Sequence, residues 1–256
     1  MVLAPLPLIA IWFGGVFLQL LTALAASVMA WEWGRLCGGG RSATAAPVLV
    51  AVVLASVAGA TAAGVWIGVA IALGGAAVVW VFALREPDTA PLWMAAGSLW
   101  VALPCIILLW LADSASAGRA TLLWVFAVVW ATDIGAYVAG RVLGGPRLAP
   151  RWSPGKTWAG LGGGMVCAAL AGWATAAVLG TAPAAPLALA SAGLAIVGQF
   201  GDLAESVVKR RFGVKDASSL IPGHGGLLDR LDGLLAVIPV VALLTLIGGG
   251  SVLTWR

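Results

Sequence analysis

Apolar runs of about twenty residues follow one another along almost the whole chain, and they constrain the fold more than any other feature. A membrane-spanning helix needs about 20 apolar residues, within a range of about 17–25. Hydrophobic residues make up 62% of the 256 residues and charged residues 9%, whereas soluble domains carry about 25% charged residues. The sequence therefore predicts an all-α, polytopic integral membrane protein with about nine transmembrane helices. The runs are 2–14, 16–33, 47–64, 65–84, 92–111, 121–142, 157–180, 185–208 and 234–250.

Basic residues are distributed unevenly among the segments that connect these runs. If nine helices alternate across the membrane, eleven of the 14 Lys and Arg residues fall in loops on one side, whereas the other side receives Arg119 and Arg256. Such an excess of basic residues marks cytoplasmic loops. We therefore expect a multi-pass protein of a bacterial-type inner (cell) membrane, with a cytoplasmic N-terminus and a periplasmic C-terminus. The basic loops are 34–46, 85–91, 143–156 and 209–233.

The sequence shows no internal repeat and no linker composition, so we expect a single membrane domain over residues 1–256. Residues 1–120 are assigned to N-terminal packing helices, in which glycines such as Gly59 and Gly68 predict close contact between helices. Residues 121–250 are assigned to the helices and cytoplasmic loops that carry the chemistry. Neither a basic segment nor a cleavage pattern accompanies the first run, so we expect no cleaved signal peptide. A translation start placed slightly too late would explain why that run is short.

Two features of the apolar part have ordinary structural explanations. Glu32 lies between Trp31 and Trp33 near the end of a run, where a solvated charge at the membrane interface is the expected role. The three cysteines are far apart and lie in or beside apolar runs, which predicts small buried side chains rather than disulfides or metal ligands. They are Cys37, Cys105 and Cys167.

Residues 202–233 form the least membrane-like stretch of the chain. They contain ten of the chain's 24 Lys, Arg, Asp and Glu residues, and the single histidine, His224. One proline and three glycines at 222–226 predict a tight turn, and a new helix is expected to begin near Leu227. Before the turn, four polar residues have the spacing i, i+3, i+4, i+7, which places them on one face of a helix. They are Asp202, Glu205, Ser206 and Lys209.

The charges in this stretch suit a divalent metal and a polyphosphate. Magnesium binds oxygen ligands, usually one or two carboxylates together with phosphate oxygens of a substrate. Asp229 and Asp232 are spaced i, i+3 on the first turn of the second helix, so both can face one point, and Asp202 supplies a third carboxylate. We predict Mg²⁺ as cofactor with these three aspartates as ligands, and a second metal ion is compatible with them. The residues suited to phosphate are Lys209, Arg210, Lys215 and Arg230.

Two structural alternatives stay open for the same stretch. The charged residues could form a salt-bridge network that only ties helices together. His224 could be a turn residue that bonds to the backbone rather than a catalytic group.

A carboxylate also lies inside the apolar run 121–142. A charged side chain at such a depth is costly, so Asp133 is a functional candidate. Asp133, Tyr137 and Arg141 are four residues apart and share one helix face. They predict either a polar face of an active cavity or an internal tie between Asp133 and one of the other two.

Residues 144–157 form a basic loop that contains no acidic residue. Its Gly155-Lys156-Thr157 end is like part of a P-loop, but Pro150 occupies the position where that motif needs glycine, so we exclude a P-loop. The loop leads into a helix, and the N-terminus of a helix beside Lys156 favours phosphate. The alternative is that its basic residues only follow the positive-inside pattern.

The motif residues resemble the signature of phosphatidate cytidylyltransferases, also called CDP-diacylglycerol synthases. The resemblance covers residues 120–240, while the first hundred residues agree only in hydropathy and in Trp31-Glu32-Trp33. Ala159 departs from the family, which often has Glu at this position. The signature residues are Ser206, Lys209, Arg210, Lys215, Asp216, Ser218, Ile221, Pro222, His224, Gly225, Gly226, Leu227, Asp229, Arg230, Leu231 and Asp232. Further matches are Thr132, Asp133, Tyr137, Gly140, Arg141, Leu148–Pro150, Ser153–Thr157 and Gly201–Leu203.

The resemblance implies transfer of CMP from CTP to phosphatidate, giving CDP-diacylglycerol and pyrophosphate in phospholipid biosynthesis. The residue chemistry agrees, because in-line attack of a lipid phosphate on the α-phosphorus needs positioning and charge stabilisation rather than a strong base. It implies CTP and phosphatidate as substrates, a lipid bilayer around the protein and an active site facing the cytoplasm; a homodimer is compatible with it. The predicted catalytic residues are Asp202, Asp229, Lys209, Arg230, Asp232 and His224. The predicted substrate-binding residues are Asp133, Arg141, Ser153, Lys156, Thr157, Ser206, Arg210, Lys215, Asp216, Gly225 and Gly226.

Other classes of protein explain the sequence less well. A transporter would also place charges inside the membrane, but it would not need a dense acidic and basic stretch on one side, and paired broken helices are not evident. Another membrane phosphotransferase would share metal and phosphate chemistry, and the destination of labelled CTP would distinguish it. A net charge of +4, divided among loops, does not favour nucleic acid as a partner.

Overall fold

Helices make up most of the computed structural model, which describes residues 5–39, 44–113, 117–180, 182–221, 223 and 225–254. The predicted all-α fold is confirmed in these residues, which form nine helices. They are α1 Pro5–Phe13, α2 Gly15–Cys37, α3 Ala45–Ala63, α4 Val65–Ala83, α5 Pro91–Ala112, α6 Gly118–Val142, α7 Trp158–Leu179, α8 Ala184–Arg211 and α9 Leu228–Ile247. A short hairpin of β1 Arg147–Ala149 and β2 Ser153–Thr157 precedes α7, and a 3₁₀ turn covers Val252–Thr254.

Eight of these helices, α2 to α9, are long and apolar enough to cross a membrane. Helix α1 has nine residues, or about 14 Å at 1.5 Å per residue, which is short of the roughly 30 Å hydrocarbon core. Large apolar side chains on the outside of the helices, such as Trp66 and Val178, are 76% and 84% exposed. The chain is thus a multi-pass membrane protein.

Contacts divide the chain into two compact units. The first unit comprises Met1–Trp110 and Val208–Leu231, and the second comprises Leu111–Val207 and Asp232–Arg256. The chain passes from one unit to the other within α5, within α8 and again within α9. The single membrane domain stays a prediction.

Small residues allow close helix packing in the first unit, as predicted. A Cβ atom on Gly68 of α4 would lie 2.7 Å from the carbonyl oxygen of Ser56 and 2.5 Å from the Cβ of Ala60 on α3. Only a residue without a side chain fits at this distance. Cys37 and Cys105 are buried in the same unit, which confirms their predicted role as small core residues.

Polar connections of the first unit meet at one end of its helices. The backbone N–H of Thr44, before α3, donates to the carboxylate of Glu86 in the α4–α5 connection at 2.7 Å. The guanidinium of Arg211, at the end of α8, lies 5.6 Å from the centre of the Trp93 ring near the start of α5. The C-terminal end of α8 therefore lies at the same end of this unit as two of the basic loops.

The basic loop of the second unit folds into the β1–β2 hairpin. Its strands are antiparallel, with Arg147 opposite Thr157 and Ala149 opposite Ser153. The Thr157 hydroxyl accepts a hydrogen bond from the backbone N–H of Gly160 at 3.0 Å, which caps the start of α7. The helix after the basic loop was predicted, whereas the hairpin was not.

Candidate functional site

Three aspartates from three helices line a small cavity in the second unit. The cavity has a volume of about 10 Å³, close to the roughly 10–15 Å³ that one water-sized particle needs. Asp133 reaches it from α6, Asp202 from α8 and Asp232 from α9. The structure therefore brings together three acidic residues that the sequence singled out. The lining residues are Val129, Thr132, Asp133, Leu194, Gly198, Asp202, Asp232 and Gly233.

The cavity depends on a close approach of α8 and α9. A Cβ atom on Gly201 would lie 2.8 Å from the carbonyl oxygen of Asp232 and 2.6 Å from the Cβ of Ala236. A larger residue would have to push the two backbones apart, because real Cβ atoms do not approach this closely. Glycine at 201 thus sets the separation between Asp202, the next residue along, and Asp232.

A lysine from the hairpin pairs with one cavity aspartate. The Nζ atom of Lys156 lies 2.6 Å from Oδ2 of Asp202. It also donates to Oε1 of Gln199 at 3.0 Å and to the Gln199 carbonyl oxygen at 3.3 Å. The Lys156 side chain is 15% exposed and that of Asp202 37%, so the pair is partly open to solvent. Sequence analysis missed Gln199, a polar residue in an otherwise apolar stretch of α8.

The polar face predicted on α6 divides into two parts. Asp133 lines the cavity, whereas Tyr137 and Arg141 lie further along the helix; all three residues are exposed. The Nη1 atom of Arg141 donates to the Tyr137 hydroxyl at 2.8 Å. Arg141 therefore pairs with Tyr137 and is not among the residues that line the cavity.

A second polar cluster, which we call the loop cluster, lies in the first unit. Its centre is Asp229, whose Oδ1 atom lies 2.5 Å from Nζ of Lys209. The backbone N–H groups of Ala217 and Gly226 donate to Oδ2 of Asp229 at 2.9 and 2.7 Å. The side chains of Lys209 and Asp229 are only 10% and 6% exposed. Asp229 thus fixes two points of the connection 212–227, which we call the α8–α9 loop.

Glu32 belongs to the loop cluster, and its interpretation as a solvated interface charge is wrong. The residue is fully buried. Its carboxylate accepts hydrogen bonds from the Ser218 hydroxyl at 2.6 Å and from the backbone N–H groups of Leu227 and Leu228 at 2.9 and 2.7 Å. One signal was available: Glu32 is the only acidic residue before Glu86, and an acidic residue inside an apolar run is a functional candidate.

The remaining predicted residues lie at or near these clusters with fewer contacts. Ser206 donates to Oδ1 of Asp202 at 3.4 Å, and Arg210 donates to the carbonyl oxygen of Val214 at 2.9 Å, beyond the end of α8. Ser153 and Gly225 are half-buried, Thr157 and Gly226 are buried, and Lys215, Asp216 and Arg230 are exposed. His224 and Pro222 lie outside the described residues.

The donors at the cavity fit a hard cation such as Mg²⁺, which prefers oxygen ligands. Three of its lining residues carry carboxylates and one carries a hydroxyl. Within the described ranges, no three carboxylate, imidazole or thiol groups are arranged to hold a metal ion by themselves. Substrate oxygens would have to complete the coordination, as they commonly do for Mg²⁺.

Comparison with known proteins gives consistent matches. The model of a family described as the cytidylyltransferase family matches residues 1–247. A Pseudomonas aeruginosa protein named phosphatidate cytidylyltransferase is 37% identical over 248 residues, covering 90% of this chain and 88% of that protein. A Brucella suis protein of the same name is 46% identical over 156 residues, covering 61% of this chain and 57% of that protein. The chain therefore spans little more than half the length of the Brucella relative and most of the Pseudomonas relative.

Proposed function

Because the chain belongs to the cytidylyltransferase family, we propose that it transfers the CMP group of CTP to phosphatidate and forms CDP-diacylglycerol and pyrophosphate. The names of the bacterial relatives support the same reaction. The structural observation that carries the proposal is the cavity lined by Asp133, Asp202 and Asp232, with Lys156 paired to Asp202. The carboxylates suit a cation, whereas the lysine and the capped N-terminus of α7 suit the nucleotide phosphates.

The reaction is one displacement at the α-phosphorus of CTP. An oxygen of the lipid phosphate forms the new P–O bond as the bond to the pyrophosphate oxygen breaks. The attacking phosphate is already anionic, so the protein needs no strong general base. Its contribution is to align the two substrates and to stabilise the charge on the oxygens.

The basic residues neutralise the phosphates in this proposal. Lys156 follows the hairpin turn and stands one residue before the cap of α7, so it can reach an anion bound at that N-terminus. Lys209, Arg210, Lys215 and Arg230 lie in or beside the α8–α9 loop and supply further positive charge. Arg141 is assigned to the lipid phosphate because it is exposed on α6.

We propose Mg²⁺ as cofactor, with Asp202 and Asp232 of the cavity as residues that would hold it; Asp229 stays a predicted ligand. When bound, Mg²⁺ neutralises phosphate oxygens and orients the attacking and leaving groups. In the described structure, Asp202 and Asp229 each hold a lysine ammonium at 2.6 and 2.5 Å. These lysines compensate the carboxylate charge, and they would become available to phosphate oxygens if a cation bound the carboxylates.

We further propose that the active site faces the cytoplasm. The unequal distribution of basic residues supports this orientation. So does the position of the C-terminal end of α8, where Arg211 lies beside Trp93 near the start of α5 in the first unit. A homodimer stays a prediction, which cross-linking in native membranes would test.

The destination of labelled phosphorus tests the proposed reaction. Purified protein in phosphatidate-containing micelles receives CTP labelled either at the α- or at the γ-phosphorus. We expect α-label in CDP-diacylglycerol and γ-label in pyrophosphate, and neither product when phosphatidate is omitted. Transfer of γ-label to lipid would instead indicate a kinase, and water-soluble CMP as the sole labelled product would indicate a hydrolase.

A further inference from the structure

The carboxylate of Glu32 supports both the α8–α9 loop and the start of α9. Oε1 accepts from the Ser218 hydroxyl and the Leu227 N–H, and Oε2 accepts from the Leu228 N–H. Glu32 is separated from these residues by 186 to 196 positions in sequence. A residue of α2 thus caps a helix whose own sequence begins with leucine rather than with a capping residue.

Burial makes these contacts essential for Glu32. A carboxylate without water is costly unless hydrogen bonds and favourable dipoles compensate for its charge. Across the described part of the chain, its partners are one hydroxyl and two N–H groups at a helix N-terminus, where negative charge is favourable. Loss of this loop conformation would leave the charge of Glu32 without those partners.

Gly226 shows that loop and carboxylate fit each other closely. A Cβ atom at this position would lie 2.5 Å from Oε1 and 2.9 Å from Oε2 of Glu32. A side chain at this position would therefore force the Glu32 carboxylate to shift away from its donors.

The same loop segments bind Asp229. Ala217, which precedes the Glu32 partner Ser218, donates to Asp229, and so does Gly226. Glu32 and Asp229 therefore hold neighbouring points of one loop. A change in the contacts of Glu32 is expected to move the N–H groups that orient Asp229.

We infer that Glu32 is a positioning residue: it holds the α8–α9 loop in the conformation that orients Asp229 for the reaction. This inference rests on the proposed function. It assigns an active-site role to α2, within a part of the chain where the sequence predicted only packing.

Glu32→Gln tests this role because it keeps the side-chain size but removes the charge and replaces one acceptor by a donor. Glu86→Gln is the matched control, since Glu86 also binds backbone N–H groups at the start of a helix. It accepts hydrogen bonds from the N–H of Thr44, just before α3, and from the N–H of Ala45, its first residue. Ser218→Ala removes one of the three donors to Glu32 and serves as a milder second variant. Hydrogen–deuterium exchange of the peptide 213–228 and steady-state kinetics are measured on the same folded preparations.

We expect exchange in the peptide 213–228 to accelerate about tenfold or more in Glu32→Gln and less in Ser218→Ala, because hydrogen bonds to charged groups are strong. We expect kcat to fall about tenfold or more while the KM for phosphatidate changes less than about twofold, since the loss concerns alignment in the transition state. Glu86→Gln should lower the melting temperature but leave both the exchange of the peptide 213–228 and kcat unchanged.

Unchanged exchange in Glu32→Gln and Ser218→Ala would overturn the inference, and so would faster exchange with normal kcat. An equal loss of kcat in Glu86→Gln would reduce Glu32 to a general stabilising residue. Failure of the unmodified protein to form CDP-diacylglycerol would contradict the proposed function instead, and the exchange data would still decide whether Glu32 holds the loop.

Discussion

Lys156 and Asp202 form an ion pair in which the ammonium nitrogen lies 2.6 Å from a carboxylate oxygen. The pair joins the hairpin before α7 to the cavity-lining helix α8. Each side chain compensates the charge of the other. One contact thus joins Lys156, which is predicted to bind phosphate, to Asp202, which is predicted to bind the metal ion.

Substitution of Lys156 tests the phosphate role of this pair. We expect Lys156→Ala to raise the KM for CTP about tenfold or more, because a lost charged hydrogen bond is worth about 1.5–3 kcal/mol. The KM for phosphatidate should change much less. Arg151→Ala is the control, since Arg151 is an exposed basic residue of the same hairpin that stacks on Trp152. Unchanged kcat and KM for CTP in Lys156→Ala would remove Lys156 from the site.

The buried pair of Lys209 and Asp229 predicts a large loss of stability when one partner is removed. Lys209→Met leaves the Asp229 charge buried, and breaking a buried pair in this way costs about 3–5 kcal/mol. Thermal unfolding in detergent should show a much larger shift than for Lys215→Met, because Lys215 is exposed. The double change Lys209→Met with Asp229→Leu should recover part of the stability and none of the turnover. Recovery of turnover in the double variant would show that the Lys209–Asp229 pair stabilises the fold and takes no part in the reaction.

The approach of α8 to α9 at Gly201 predicts a loss of activity from a single methyl group. Gly201→Ala should separate Asp202 from Asp232, and overpacking of this kind costs about 1–3 kcal/mol. Gly193→Ala on the same helix is the control, because its Cβ would meet nothing within 4 Å. It should keep full activity and gain up to about 1 kcal/mol from helix propensity. Equal turnover of the two variants would show that the spacing at Gly201 does not matter.

Local patterns predicted the helices and much of the cavity. Apolar runs placed α7 and α8 to within a few residues, and helical spacing singled out Asp133 and Asp202 as members of polar faces. These predictions rest on periodicity, which depends on neighbours within one or two turns.

Long-range contacts could not be predicted in this way. The partners of Glu32 lie 186 or more residues away, so its place inside an apolar run could mark it as a functional candidate but could not show what it binds. Gln199 was missed because its partner Lys156 belongs to another element. The predicted loop around Pro150 forms a hairpin, since its turn lies between two short extended segments that pair.

Reporter fusions test the orientation of the chain. A reporter fused after Lys156 should be active on the cytoplasmic side, and reporters after Arg119 and Arg256 on the outside, because loops rich in basic residues stay inside. A further fusion before Pro5 determines whether the segment containing α1 crosses the membrane; the nine-helix count predicts a cytoplasmic signal there. A cytoplasmic signal after Arg256 would show that the count is wrong by one helix.

The rate of CDP-diacylglycerol formation by folded Asp202→Asn protein tests the central claim most directly. The change keeps the shape of the side chain at the cavity but removes its charge, and Asp88→Asn, in an exposed turn, is the matched control. Melting on the same preparations measures the folded fraction, and a magnesium titration shows whether excess metal recovers activity. If Asp202 acts on the phosphates of CTP, turnover should fall at least about 10²–10³-fold, the cost of removing one charge-stabilising group elsewhere, while Asp88→Asn stays normal. Near-normal turnover of folded Asp202→Asn would contradict the account.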